Sequence, residues 1–451
     1  MEYQPFYGNV HPMKNVDTIL HARWILPITE SDPLLHDHCV IINDGRIINI
    51  LPSETSASLY SANIEKKYSK HLLMPGLINA HTHGPMSLFK GYADDIALED
   101  WLQNHIWPAE AEWVSDKFVH AGTQLAIAEM LRSGTTCFND MYFFPEITAR
   151  LARDAGIRAC IGLIAVDFPS AWANNANEYI DKGLELRDQF RSDSLIHTPF
   201  APHAPYTLSD EALIRVKTLA DEMDLPIHIH LHETTDEIEQ SIKQHGVRPL
   251  ERLNKLGLVS PNLMAVHLTQ VTGEEIALLS DSGSHVVHCP ESNLKLASGF
   301  CPVTKLIDAG INVALGTDGS ASNNDLNMLG EIHTASLLAK GISQSATALN
   351  ATQALRMATI NGAKALGIDD FTGSLAPGKY ADIIAIDFSS LEMQPVYNPV
   401  AHVVYSATRE QISDVWVAGK HLLKDRELTT LNEAEITRDC QHWNDKIAVT
   451  I

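Results

Sequence analysis

From Leu72 to Asp318 the chain repeats one local pattern: a short apolar run, a polar tip, then a helical stretch. Eight candidate strands end near His81, Asp140, Val166, His203, Glu233, Thr269, Asn293 and Asp318. Helical patterns separate most of them. Phe118 to Leu131 is one, closed by Gly134, and Ser209 to Met223 is another, with Ser209 as its N-cap. Regular alternation of this kind builds an α/β fold, and eight strands over about 250 residues suit a (β/α)8 TIM-type barrel. That architecture carries its reactive side chains at the C-terminal strand ends. His81 and His83, His230 with Glu233, His267, and Asp318 all lie at such ends.

The two ends of the chain read differently. Asp17 to Pro27 and Cys39 to Ile42 are strand-like, and Asn43-Asp44-Gly45 ahead of Arg46 to Leu51 is a hairpin signal. Near the C-terminus, Gly378 to Asp387, His402 to Tyr405 and Val415 to Val417 look like further strands, the last followed by a turn at Ala418-Gly419-Lys420. Residues 1–72 and 376–451 are therefore expected to form one small β-sandwich domain beside a barrel of residues 73–375.

Charge narrows the partners. Asp+Glu is 56 against 33 Lys+Arg, a formal net charge of −23. Such a surface repels phosphate backbones, so nucleic acid is not expected. The six cysteines are scattered and form no CxxC pair, which fits a reducing compartment. Met1 to Lys14 lacks the apolar core of a signal peptide, and no run is long enough to span a bilayer. A cytoplasmic protein that binds no membrane is expected.

Histidines carry the chemistry. His81 and His83 are two apart, so an extended backbone puts both imidazoles on one face, where both can reach one ion. Taken alone, such a pair is more often two solvated loop histidines. In Pro226-Ile-His-Ile-His-Leu-His-Glu, His228, His230 and His232 share a face that points into the barrel, a costly arrangement unless they are bonded or bound to metal. One ion already held by His81 and His83 has no room for all three. His230 is the chosen ligand, because Glu233 then lies a short step beyond it; His228 and His232 are expected to be structural or supporting. Asp318 needs a positive partner in a barrel mouth, and a metal ion is the strongest available. His267 would bond the activated water or serve as an extra ligand. A carboxylate at Glu233 could take the proton of that water and pass it to a substrate. Leu195 to Tyr206 holds no lysine that could bridge two metals, which points to one ion and leaves His203 for substrate. Cys289 beside His288 is a poor nucleophile pair, since neighbouring strand residues face opposite ways.

Met74-Pro-Gly-Leu-Ile-Asn-Ala-His-Thr-His, His230-Leu-His-Glu, Val266-His267, His288-Cys-Pro-Glu-Ser-Asn and Gly316-Thr-Asp-Gly together resemble the amidohydrolase superfamily. Trp107-Pro-Ala-Glu110, Ala201-Pro-His-Ala-Pro-Tyr-Thr and Ser292-Asn-Leu-Lys-Leu-Ala-Ser-Gly are similar to its 5′-methylthioadenosine/S-adenosylhomocysteine deaminase family. The resemblance implies a barrel with a β-sandwich side domain, and one Zn2+, with Fe2+ known in relatives. It places the metal on His81, His83, His230 and Asp318. Glu233 would be the proton shuttle, His267 would orient the water, and Asp318 would also hold the hydroxide. Glu110 and His203 would contact the nucleoside, Glu110 through ribose hydroxyls. It implies deamination of an adenine nucleoside to the inosine derivative and ammonia, by a homo-oligomer.

One departure concerns the substrate. Family members that handle S-adenosylhomocysteine well are expected to offer arginines after the third strand. Asp167 to Glu178 contains none and presents Phe168 and Trp172 instead. An apolar lid suits a methylthio group better than a zwitterion. Two other readings stay open: a free purine, pterin or triazine as substrate, and a catalytically inactive barrel serving as a scaffold.

Overall fold

The computed structural model describes residues 13–31 and 33–449. The signal-segment expectation rests largely on Met1–Pro12, which lie outside the described residues. No helix among the described residues is long and apolar enough to cross a membrane.

The barrel strands are Leu77–Thr82, Thr135–Asp140, Arg158–Ile161 continued by Leu163–Ala165, Ile196–His197 continued by Phe200–Pro202, Ile227–Leu231, Leu263–His267, His285–His288 and Asn312–Leu315. Every recorded pairing between neighbours is parallel. The ring closes between its eighth and first strands through the Asp318 N–H, which donates to the His81 carbonyl at 3.0 Å. Asn79 adds two side-chain bonds to Thr317 there, at 2.7 and 3.0 Å. Between the two halves of the third strand, Gly162 leaves no room for a side chain. A Cβ there would sit 2.6 Å from Ala201 Cβ and 2.7 Å from the Asp140 carbonyl.

Ile78, Ala80, Cys137, Cys160, Met264, Val266, Val287 and Ala314 fill the ring's interior. A second apolar layer lies between the strands and the surrounding helices. Cys137, Cys160 and Cys289 act as small core hydrophobes, and all six cysteines are unpaired. Burial pushes the Cys289 thiol well above its ordinary range, which makes it a poor nucleophile.

Both chain ends join in one eight-stranded sheet. Tyr60–Pro75 is its seam, parallel to Lys14–Ile25 on one side and antiparallel to Ile383–Asp387 on the other. Beyond these lie Leu35–Asn43 and Arg46–Pro52, and on the C-terminal side Ile412–Val417, Lys420–Lys424 and Glu427–Leu428. Asp44 and Gly45 take left-handed φ values of 49° and 71°, as a tight hairpin requires. The sheet curls so that Ile47 bonds both Gly378 and Lys379, enclosing Leu20, Val40, Ile383 and Trp416. This is the β-sandwich side domain built from both ends.

Three local expectations are corrected. Asn293 does not end the seventh strand, which stops at His288; Pro290 starts a helix, Pro290–Lys295, that carries Asn293. His402 to Tyr405 is helical, within Pro399–Tyr405, because Asn398 caps it and Pro399 occupies its first turn. Trp172 is not part of a lid: it is 8% exposed and packs against Tyr179 at a ring distance of 5.5 Å.

Candidate metal centre and substrate cleft

Strand geometry brings the first donors together. His81 lies near the end of Leu77–Thr82, where pairing with the second strand shifts register between Asn79 and Thr82, and its ring reaches the same point as that of His83 just beyond the strand. His230 comes from the fifth strand. Asp318 follows the eighth strand in a left-handed conformation, φ 64°, which swings its carboxylate over the barrel mouth. Donor atoms of His81, His83, His230 and Asp318 lie within 4.8 Å of one another. His81 Nε2 and His83 Nε2 are each 3.2 Å from Asp318 Oδ1, and His83 Nε2 is 3.3 Å from His230 Nε2.

The other ring nitrogens are tied back. His83 Nδ1–H donates to the Met141 carbonyl and His230 Nδ1–H to the His203 carbonyl, both at 2.6 Å. These bonds fix the tautomer that leaves each Nε2 lone pair facing inward. His81 Nδ1 lies 2.9 Å from His228 Nε2. His81 Nε2 is buried without a hydrogen-bond partner. Asp318 turns Oδ1 to the histidines, while Oδ2 accepts from Ser292 Oγ at 2.6 Å and Ser322 Oγ at 2.9 Å. Three imidazoles and one carboxylate oxygen, each held from behind, fit one divalent ion.

Charge is unevenly spread in this cluster. Burial drives His81 down to about 4 and His230 well below its ordinary range, so both keep free lone pairs. Burial opposes a charge on His83 as well, yet bonding to Asp318 holds it up to about 9. Burial works against the Asp318 charge too, but His81 and His83 hold it well below the carboxylate range. A proton on His83 competes with metal for the same nitrogen, so metal uptake releases protons.

The remaining expected residues stand around a cleft of about 810 Å³ above the cluster. Glu233, His267, Glu110 and His203 all line it. Glu233 Oε2 is 3.8 Å from His267 Nε2, and His267 Nδ1–H donates to Asn293 Oδ1 at 2.8 Å. Burial raises the Glu233 carboxyl, with His267 opposing. Burial also pushes Glu110 up to about 7, against a 2.7 Å bond from the Tyr142 hydroxyl. Burial takes His203 down to about 3, a neutral ring that can donate or accept. His232 stands apart: its Nε2 accepts from Leu250 N at 3.0 Å, outside the donor set.

Trp101, Leu102, Ile106 and Trp107 form the cleft's far wall, from a helical segment that sequence patterning did not single out. Phe168, 40% exposed, faces Trp107 across the mouth at 6.5 Å. The cleft opens into a wide outer vestibule lined by Asp95, Glu99, Asp100, Asp236 and Glu237. Its lysine, Lys295, is bonded to Asp94, Asn324 and the Ala321 carbonyl. No arginine lines either space among the described residues.

Residues 72–422 match the model of the amidohydrolase family. A 5-methylthioadenosine/S-adenosylhomocysteine deaminase from Teredinibacter turnerae is 51% identical over 432 residues, covering 96% of this chain and 98% of that protein. Its counterpart from Saccharophagus degradans is 53% identical over 432 residues, covering 96% of this chain and 97% of that one. The crystal structure of an adenosine deaminase from Xanthomonas campestris with bound zinc matches with a TM-score of 0.96 at 48% identity, covering 97% of this chain and 100% of that chain. On donor set, fold and sequence alike, the chain belongs to the amidohydrolase family.

Proposed function

We propose that this chain deaminates an adenine nucleoside by hydrolysis, with 5′-methylthioadenosine preferred over S-adenosylhomocysteine and adenosine. The observation that carries this is the convergence of His81, His83, His230 and Asp318 beneath a cleft whose walls hold Glu233 and Glu110. The zinc in a 48% identical relative supports one zinc ion on these four residues, with iron the alternative. When bound, that ion supplies the Lewis acidity that makes water a competent nucleophile near neutral pH.

The chain's own residues do the rest. Glu233 takes a proton from the attacking water and delivers it to ring N1, which makes C6 electrophilic. The water oxygen bonds to C6, and the C6–N bond breaks as the amino group takes the second proton and leaves as ammonia. His267, its tautomer fixed by Asn293, presents Nε2 to accept a bond from the attacking water and holds it in line. Asp318, tied by two serines, orients the same water through Oδ1. Glu110 accepts from ribose hydroxyls, and the neutral His203 contacts the sugar or base edge.

The outer vestibule supports the choice of substrate. A methylthio group gains from Phe168 and Trp107, whereas a carboxylate would enter an acidic space with no free cation along the lining described above. The free-base reading differs at Glu110, since a base without ribose has nothing for it to hold. A tenfold or greater rise in KM for 5′-methylthioadenosine in Glu110→Ala is expected; an unchanged KM points to a free base. The unpaired cysteines support a reducing, cytoplasmic setting, and a homo-oligomer is the reading that sedimentation would check.

A further inference from the structure

His232 and Glu233 follow the last residue of the fifth barrel strand, Leu231, so they have no ladder partners for their backbone. All four of their backbone polar groups are nevertheless bonded. Glu237 provides both acceptors on one side: Oε1 takes the His232 N–H at 3.0 Å and Oε2 the Glu233 N–H at 2.7 Å. On the other side the His232 carbonyl accepts from Gln270 N at 3.1 Å, and the Glu233 carbonyl from Thr269 Oγ1 at 2.6 Å. Thr269 Oγ1 accepts from Gln270 Nε2 at 3.0 Å, and of the carbonyls within its reach Glu233, at 2.6 Å, is nearer than Ser298 at 3.1 Å or His232 at 3.4 Å.

This is not how a glutamate at the start of a helix is ordinarily used. Thr234 caps the helix Thr235–His245, its side chain accepting from Glu237 N at 3.3 Å. In a capping box the glutamate would reach back to the Thr234 N–H. Glu237 bypasses it for the two N–H groups upstream. Those residues need restraint, because His232 has a φ of 54°, a strained conformation for a non-glycine residue that persists only when its surroundings hold it. Glu237 is itself buried, at 7% exposure, where an ionised carboxyl is costly without such bonds.

We propose that Glu237 and Thr269 are positioning residues, clamping the Glu233 peptides from both sides and so aiming its carboxylate at the reacting ring. The inference rests on the proton-transfer role given to Glu233 above. Neither residue belongs to the donor set, so loosening the clamp should misplace Glu233 while leaving the metal in place.

Two variants test it, assayed as purified holoenzyme with 5′-methylthioadenosine. Glu237→Gln keeps one acceptor and turns an NH2 toward the other N–H; Thr269→Val keeps the shape and removes the donor. Each is expected to lower kcat at least about tenfold, since misplacement by an ångström costs on the order of a hundredfold, while KM stays within about threefold and metal per chain equals wild type. A folded variant with wild-type kcat overturns the proposal, as does a fall in metal content that parallels kcat. If Glu237→Gln does not fold, Thr269→Val decides. If wild type holds metal yet acts on no adenine nucleoside, the reaction assignment has failed separately. Amide exchange at His232 and Glu233 then judges the clamp: faster exchange in either variant supports it, and unchanged exchange overturns it.

Discussion

At the scale of single residues, two half-buried carboxyls do different work because their surroundings differ. Glu233 faces His267 at 3.8 Å and stands over the donor cluster, so it can exchange protons with both water and ring. Glu233→Gln keeps the size and the metal but loses the proton. Its kcat should fall on the order of 10²–10⁴-fold with metal content unchanged, as steady-state assay and elemental analysis would read. Glu110 is held up to about 7, chiefly by burial, above its ordinary 4.5. Its folded form thus binds a proton that the unfolded chain has already lost between those values. The sign follows: Glu110 makes stability fall as pH rises from its ordinary value to about 7, and level off above. Glu110→Gln should remove that slope, giving a higher melting temperature than wild type at pH 8 and a converging one at pH 4. A gap that widens on acidification contradicts it.

At the scale of elements, the strand ends decide what the barrel can do. Their reactive residues are legible because histidine and aspartate at the tips of apolar runs are unusual. The residues that hold them are not legible. Ser292 and Ser322 grip Asp318 from two short helices, and nothing in a serine's type or spacing announces that contact. Tyr142 finds Glu110 across 32 positions of sequence. An end at Asn293 carries the seventh strand five residues past His288, although Pro290 marks a helix start. At His402–Tyr405 the two valines favour a strand, but the Asn398-Pro399 start signal prevails and the segment is helical. Trp172 is not legible either, because an aromatic in a loop does not reveal whether it faces in or out. Removing both serine hydroxyls, in Ser292→Ala/Ser322→Ala, should free Asp318 and weaken metal affinity about 10–100-fold. Competition against a chelator would show it, and unaltered affinity would mean the serines do not set the carboxylate.

At the scale of the whole molecule, the side sheet is locked to the barrel at the face opposite the cleft. Arg158, which begins the third barrel strand, is fully buried and bonds Asp382 at 3.0 and 3.3 Å. Asp382 also accepts from Thr372 Oγ1 at 2.6 Å and Ala418 N at 2.7 Å. Both charges are satisfied only while the two parts stay docked. Asp382→Ala leaves a buried guanidinium unpaired and should cost about 3–5 kcal/mol, seen as a lower melting temperature with the metal site intact in the folded fraction. The central claim concerns the opposite face. Ultraviolet absorbance of the metal-loaded protein with 5′-methylthioadenosine, S-adenosylhomocysteine, adenosine and guanine in parallel tests it most directly. Conversion of an adenine to a hypoxanthine spectrum, fastest with 5′-methylthioadenosine, is the predicted result. A higher kcat/KM for S-adenosylhomocysteine would contradict the reading of the arginine-free cleft. Turnover of guanine with every adenine nucleoside left unchanged would contradict the nucleoside itself.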